Sequence, residues 1–163
     1  MRNPVLLTIM KKFIRLLIII LVIGIVVIQF FRPEKNLGDP SPEHIFENEQ
    51  LPENIQAILK NACMDCHSNQ TTYLWYHQVV PVAWMINGHI VEGKEELNFS
   101  EWGQMDVFDK IGALEDICRE VENKKMPIKA YTQMHKEAKL TEEQRAELCA
   151  WTEKLSEELI SAE

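Results

Sequence analysis

Five consecutive residues carry the most specific chemistry in this sequence: Cys63, Met64, Asp65, Cys66 and His67. They form the pattern C-x-x-C-H, which is the attachment signature of c-type haem. Cysteines three positions apart on a helical turn present both sulfurs to one side, where each can form a thioether with a haem vinyl group. His67 follows directly and can give its imidazole to the iron as the proximal ligand. The motif therefore predicts one covalently bound haem c.

Two other kinds of site share part of this pattern. C-x-x-C alone also occurs in thiol redox motifs and as half of a zinc site. A thioredoxin-like motif requires a preceding strand, whereas a helical pattern leads into Cys63. A four-ligand zinc site requires two more ligands, and Cys118 and Cys149 are isolated within helical patterns. We therefore favour haem attachment and keep a non-haem thiol or zinc module as an alternative.

The sixth position of a haem iron needs a second ligand, and the sequence offers several methionines and histidines. Met85 and His89 lie on the apolar stripe of a predicted helix, where core packing is the simpler explanation. Met126 precedes Pro127 in a break between two amphipathic helices, so its thioether can face a pocket without distorting a helix. We therefore predict Met126 as the distal ligand of a His/Met pair. The other candidates are Met105, Met134, His44, His77 and His135.

A haem is a large, flat, apolar plate, so the domain that encloses it needs large apolar side chains. Aromatic residues are the best suited, although most aromatic residues serve the core of any domain. The candidate pocket walls are Trp75, Tyr76, Trp84 and Trp151.

The elements that must position these residues are helices. A helix with Ile55, Ile58 and Leu59 on one face leads into the motif. Three further helices are predicted. The first begins at Pro81, the second spans residues 106–123, and the third begins at the capping box Thr141-Glu142-Glu143-Gln144. No strand pattern appears, so the sequence predicts an all-α, cytochrome c-like domain. Cys118 and Cys149 lie on two of these helices; a disulfide is compatible with that, but buried free cysteines are preferred.

The N-terminal region has a different composition. Residues 16–31 are apolar except for Gln29 and Gly24, and with Phe13 and Ile14 they give about 19 residues, close to the length that crosses a bilayer. The preceding tail, residues 1–15, holds four cations and no acidic residue, which predicts a cytoplasmic N-terminus. We predict a transmembrane anchor at 16–31, a linker at 32–50 and the haem domain at 51–163. A cleaved signal peptide is less favoured, because no small-residue cleavage site follows.

The charge of the chain excludes some functions. Its formal net charge is −8, and every acidic residue follows Pro33. An acidic domain of this kind does not bind nucleic acid or an anionic membrane surface.

Several stretches together resemble the bacterial haem-binding domain family, whose members are short and often membrane-anchored, and more broadly the class I cytochrome c plan. The similar stretches are residues 63–69, Trp75-Tyr76, residues 81–84, residues 92–94, residues 98–102, Met126-Pro127 and Leu140-Thr141 with Trp151. They cover nearly all of residues 51–155. The sequence has Leu74 and Lys136 at two places where the family often has proline, and neither is a predicted ligand.

The motif, the predicted ligands and the resemblance predict one function. The protein is expected to be a monohaem c-type cytochrome that carries single electrons rather than an enzyme. It is expected in the bacterial inner membrane with a single anchor and its haem domain in the periplasm, next to an unspecified redox partner protein. The alternatives are a haem-based sensor or a small peroxidase-like enzyme, both of which need an open iron position.

Overall fold

The structure is a computed structural model that describes residues 4–38 and 41–162. All regular elements in these residues are helices, and the only β-type pairing among them is an isolated antiparallel bridge between Leu37 and Gln70. The prediction of an all-α protein is therefore confirmed for the described chain. Arg2 of the predicted cytoplasmic tail and Pro40 of the predicted linker lie outside the described residues.

Eight α-helices and three short 3-10 helices follow one another in the described chain. The α-helices are α1 (Pro4–Ile28), α2 (Ile45–Asn48), α3 (Glu53–Ala62), α4 (Met64–His67), α5 (Val82–Glu96), α6 (Val107–Glu122), α7 (Lys129–Met134) and α8 (Glu142–Ser161). The 3-10 helices are Trp75–Gln78, Phe99–Gln104 and Lys136–Ala138.

The first helix does not meet the requirements of a membrane span. Lys11, Lys12 and Arg15 lie inside α1, and the uninterrupted apolar run within it extends only over residues 16–28. That run is about 20 Å of helix, whereas the hydrocarbon core of a bilayer is about 30 Å thick. Among the described residues, no helix is both long and apolar enough to cross a membrane. The predictions of a transmembrane anchor at 16–31 and of a single-pass inner-membrane protein are therefore wrong.

The chain forms two compact units. The smaller unit consists of Met1–Glu34 and Tyr73–Gly88. Within it, the side-chain amide of Gln29 donates to the carbonyl of Val80 at 2.9 Å and accepts from the amide of Val80 at 3.1 Å. The indole Nε1 of Trp84 donates to the carbonyl of Phe31 at 2.7 Å. These bonds join the end of α1 to the segment that leads into α5.

The larger unit consists of Lys35–Thr72 and His89–Glu163 and contains the C-x-x-C-H motif. The predicted face of α3 is buried in its core, with Ile55, Ile58 and Leu59 each less than 5 % exposed. α6 and α8 pack side by side, and a side chain caps the start of each; of these caps, the capping box of α8 was predicted from sequence. The side chain of Asp106 accepts from the amide of Asp109 at the start of α6, and Thr141 and Gln144 form the capping box of α8.

A disulfide joins these two helices. Cys118 on α6 and Cys149 on α8 are bonded, with their Cα atoms 4.8 Å apart. The preference for two free cysteines is therefore wrong: the two helix faces do meet, and they bring the two sulfurs together.

Residues 36–38 run antiparallel to residues 69–71, directly after the motif. The amide of Gly38 donates to the carbonyl of Asn69 at 2.7 Å, and the amide of Thr71 donates to the carbonyl of Asn36 at 3.0 Å. The side-chain amide of Asn36 also donates to the carbonyl of Ser68 at 2.8 Å, and Lys94 on α5 donates to the Asn36 side chain at 2.9 Å. The segment that follows the motif is therefore fixed by side chains and backbone from two other parts of the unit.

Candidate functional site

The first motif cysteine, Cys63, lies at a break in the helical path. α3 ends at Ala62, Cys63 leaves helical geometry with φ −126° and ψ −44°, and α4 then forms a single turn. The amides of Cys66 and His67 both donate to the carbonyl of Cys63, at 3.1 and 2.9 Å. This tight turn places the two thiols and the histidine on one short segment. Neither thiol is in a disulfide, and both cysteines are half-buried.

The electrostatics of the thiols differ from those of a redox-active pair. Burial raises the pKa of Cys63 to about 12, and the neighbouring Cys66 adds to the effect. Burial likewise raises the pKa of Cys66 to about 11, with a further contribution from the charge of Asp65. Reactive thiols in C-x-x-C redox motifs have lowered pKa values, because the thiolate is the nucleophile. The site therefore does not have the electrostatics of a thioredoxin-like centre.

His67 is held in one tautomer. Its Nδ1 lies 3.0 Å from the carbonyl of Leu97, and a carbonyl only accepts, so Nδ1 carries the proton and donates it. The Nε2 atom then keeps its lone pair, which is the state that a metal-bound histidine requires. Burial also lowers the pKa of His67, although hydrogen bonds to the backbone of Leu97 and Gly93 act in the opposite direction. The chemistry of this imidazole fits a proximal iron ligand.

A cavity of about 320 Å³ lies against the motif within the larger unit. Four motif residues line it, together with one face of α5, the segment 126–128 and Tyr131. The motif residues are Cys63, Asp65, Cys66 and His67, and those from α5 are His89, Glu92, Gly93 and Glu96. The structure thus brings the predicted attachment cysteines, the predicted proximal ligand and Met126 together around one space, although Met126 lies 59 positions or more from the other three in the sequence.

Gly93 lets α5 approach the motif closely. A Cβ atom at this position would lie 2.9 Å from the carbonyl oxygen and 3.2 Å from the Cβ of Cys66. Because a real Cβ is not found this close to backbone atoms, a side chain here would displace α5 or the motif. The absence of a side chain at Gly93 therefore sets the distance between the helix and the second attachment cysteine.

Asp65, one of the two residues between the cysteines, connects the motif to Tyr131, which also lines the cavity. Its carboxylate accepts from the amide of Thr72 at 2.9 Å and from the hydroxyl of Tyr131 at 2.8 Å. Its carbonyl accepts from the hydroxyl of Thr71 at 2.6 Å. Burial, and next the charge of Asp65, raises the pKa of Tyr131, which therefore stays protonated and donates. This bond links α7, directly after the Met126 segment, to the motif itself.

Met126 lies in a structured connection between α6 and α7 and is half-buried. Lys124 adopts a left-handed conformation with φ 57°, which ends α6. The amides of Lys125 and Met126 then both donate to the carbonyl of Glu120, at 3.0 and 3.1 Å. The connection is therefore a fixed turn.

The four predicted pocket walls are not among the residues that line this cavity. Trp75, Tyr76 and Trp84 belong to the smaller unit, where Trp75 is 77 % exposed. Trp151 is buried on α8 and lines a separate groove beside the start of α3. Of the other histidine and methionine candidates, His89 is the one found among the lining residues described.

Sequence reasoning missed the cavity roles of Asp65, Tyr131 and the α5 face. The spacing of His89, Gly93 and Glu96 places them on one side of a helix, so periodicity could have grouped them. No local pattern marks Tyr131, because its partner Asp65 lies 66 residues away.

Comparison with known proteins bears on the same region. The family model of the haem-binding domain matches residues 23–154, which include the motif, the Met126 segment and Tyr131. No curated protein matches the chain, and no solved structure matches it.

Proposed function

The chain belongs to the haem-binding domain family, and from this we propose that it holds one covalent haem c and carries single electrons. The observation that carries the proposal is the shared cavity. It places two protonated thiols, a histidine with a free Nε2 lone pair and a methionine around one space. The two other cavities described, beside the start of α3 and beside His44, do not offer this set of donors for a porphyrin and its iron.

Each of these side chains has a defined task. Cys63 and Cys66 would hold the haem edge through thioethers, and His67 would supply the proximal nitrogen. Met126, which lines the same cavity, would supply the distal thioether. When bound, the haem supplies an iron that takes up and releases one electron. The hydrogen bond from His67 to the carbonyl of Leu97 holds the imidazole in its ligating tautomer.

Two protein ligands favour electron transfer over catalysis. If His67 and Met126 both hold the iron, they would leave no position for peroxide, oxygen or carbon monoxide, which a peroxidase-like enzyme or a gas sensor must admit. A methionine ligand also raises the reduction potential. The proposed role requires a redox partner protein that docks near the cavity.

Substitution of the cysteines tests the covalent attachment. Cys63→Ala combined with Cys66→Ala should abolish haem that survives denaturing electrophoresis, because both thioethers are lost. The matched control is Cys118→Ser combined with Cys149→Ser, which removes the other two cysteines and should leave the stain. Haem that survives denaturation in the first variant would refute covalent attachment through this motif.

Substitution of Met126 tests the electron-carrier role. Met126→Ala should remove the weak near-infrared sulfur-to-iron band of the oxidised protein, lower the potential and let the reduced protein bind carbon monoxide. Met134→Ala is the control, because Met134 is 57 % exposed on α7. If the unmodified reduced protein already binds carbon monoxide, the iron has an open position and the sensor or peroxidase alternative replaces the carrier.

A further inference from the structure

We propose that Arg145 is a positioning residue for Met126, because its guanidinium holds the turn that presents the thioether to the cavity. The inference rests on the proposed function, since it takes Met126 to be the distal ligand. Arg145 lies in the second turn of α8, and it is not among the residues that line the cavity. Its effect on the haem therefore has to pass through Met126.

The guanidinium contacts the connection at both ends. Its Nη1 donates to the carbonyl of Val121 at 2.5 Å, in the last turn of α6, and to the carbonyl of Met126 at 3.3 Å. The carbonyl of Val121 also accepts from the amide of Lys124 at 3.1 Å, so the guanidinium adds a second, charged donor at the end of α6, where a cation is favourable for the helix dipole. One side chain thus bridges the last turn of α6 and the backbone of Met126.

Arg145 provides the hydrogen bond to the carbonyl side of Met126. The amide of Met126 is held by the carbonyl of Glu120, but Pro127 follows and has no amide hydrogen to donate. The carbonyl between these two residues accepts from Arg145. Without that donor, the segment from Met126 toward α7 would lose its restraint to α8.

A disulfide holds the helix that carries Arg145 against α6. Cys149 lies one turn further along α8, and its disulfide partner Cys118 lies about one turn before Val121 on α6. The disulfide therefore fixes the two helices next to the place where the guanidinium bridges them. Because the disulfide holds α8, the position of the guanidinium determines the position of the Met126 turn.

The environment of the Arg145 Nε atom indicates that this position requires more than helix packing. It is buried and has no hydrogen-bond partner within the described chain. A buried N–H without a partner is unfavourable, and such groups are rare. An apolar side chain would avoid this cost if helix packing were all that the position required. The residue instead retains a donor that reaches the backbone of Met126.

The test compares Arg145→Met with Arg119→Met in the haem-loaded protein. Arg119 is a matched control, because it lies on α6 and its side chain is 57 % exposed. Loss of one hydrogen bond from a charged donor should raise the population of iron without Met126 about tenfold. The apparent carbon monoxide affinity of the reduced protein should rise by the same factor, about tenfold, and the near-infrared band should weaken. Arg119→Met should change neither.

A double-variant cycle separates positioning from general stability. In a Met126→Ala background, Arg145→Met should have no further effect on potential or carbon monoxide affinity, because the ligand that it positions is gone. Equal effects in both backgrounds would overturn the inference. If Met126→Ala itself changes neither readout, the proposed function fails instead.

A second substitution keeps the inference testable if Arg145→Met does not fold. Arg145→Gln keeps a neutral donor of shorter reach, and it should fold and show a smaller change in the same direction. If both variants fail to fold with covalent haem, Arg145 has a global structural role and the inference is overturned. An unchanged band and affinity in both folded variants would overturn it as well.

Discussion

Gly93→Ala should destabilise the protein even though it improves the intrinsic helix propensity of α5. Alanine in a helix interior is favoured over glycine by about 1 kcal/mol. The added Cβ, however, would lie 2.9 Å from the backbone oxygen of Cys66, so the backbone has to move. Overpacking of this kind costs about 1–3 kcal/mol. The expected net result is a loss of up to about 2 kcal/mol in the free energy of unfolding, obtained from these two opposing terms.

Gly112→Ala is the matched control for this prediction. Gly112 lies in α6 of the same compact unit, and a Cβ there would meet nothing within 4 Å. The propensity gain should therefore appear undiminished, as an increase of up to about 1 kcal/mol. Urea unfolding of both variants, followed by circular dichroism, measures the two changes. The yield of covalent haem should fall only for Gly93→Ala, because Cys66 is displaced. Equal stabilisation by both substitutions would refute the proposed close contact between α5 and the motif.

Three further predictions concern contacts around the site. Tyr131→Phe should lower the free energy of unfolding by about 1.5–3 kcal/mol, the value of a hydrogen bond to the charged Asp65, in denaturant titration; no change would mean that water replaces the hydroxyl. Cys118→Ser should cost about 3–4 kcal/mol, because the disulfide closes a loop with a sequence separation of 31, and a reductant should affect only the unmodified protein. His44 Nδ1 accepts from the amide of Phe46, and burial lowers the pKa of His44. The unfolded chain therefore binds the proton more readily than the folded protein, so the free energy of unfolding should fall as the pH drops below about 6.5. His44→Asn keeps an N-cap acceptor and should reduce this pH dependence in urea titrations; an unchanged dependence would assign it to other groups.

The parts of the fold that local rules govern were predictable from the sequence. The helix expected at 106–123 is Val107–Glu122 with Asp106 as its cap, because capping and apolar spacing act within a few residues. The membrane anchor was predicted wrongly, because the three cations assigned to a separate tail lie inside the same helix as the apolar run. The disulfide was missed since helical periodicity does not give the rotation of one helix against another.

The same difference between local and tertiary features applies to the candidate site. The C-x-x-C-H motif is contiguous and therefore visible in the sequence. The bond between Tyr131 and Asp65 spans 66 residues, and that between Arg145 and the carbonyl of Met126 depends on how two helices pack. Contacts of this kind follow from tertiary packing and leave no spacing pattern in the chain.

The antiparallel pairing of residues 36–38 with residues 69–71 determines where a shortened form of this protein can begin. A fragment that starts at Lys35 keeps the side chain of Asn36, which bonds both to the carbonyl of Ser68 and to the hydroxyl of Thr71. A fragment that starts at Leu51 exposes those partners to water and leaves Lys94 without its 2.9 Å contact to Asn36. The segment after His67 would then be free to fray. Fragments for crystallisation or spectroscopy should therefore retain the chain from Lys35 onward, even though its first residues lie far from the cysteines in sequence.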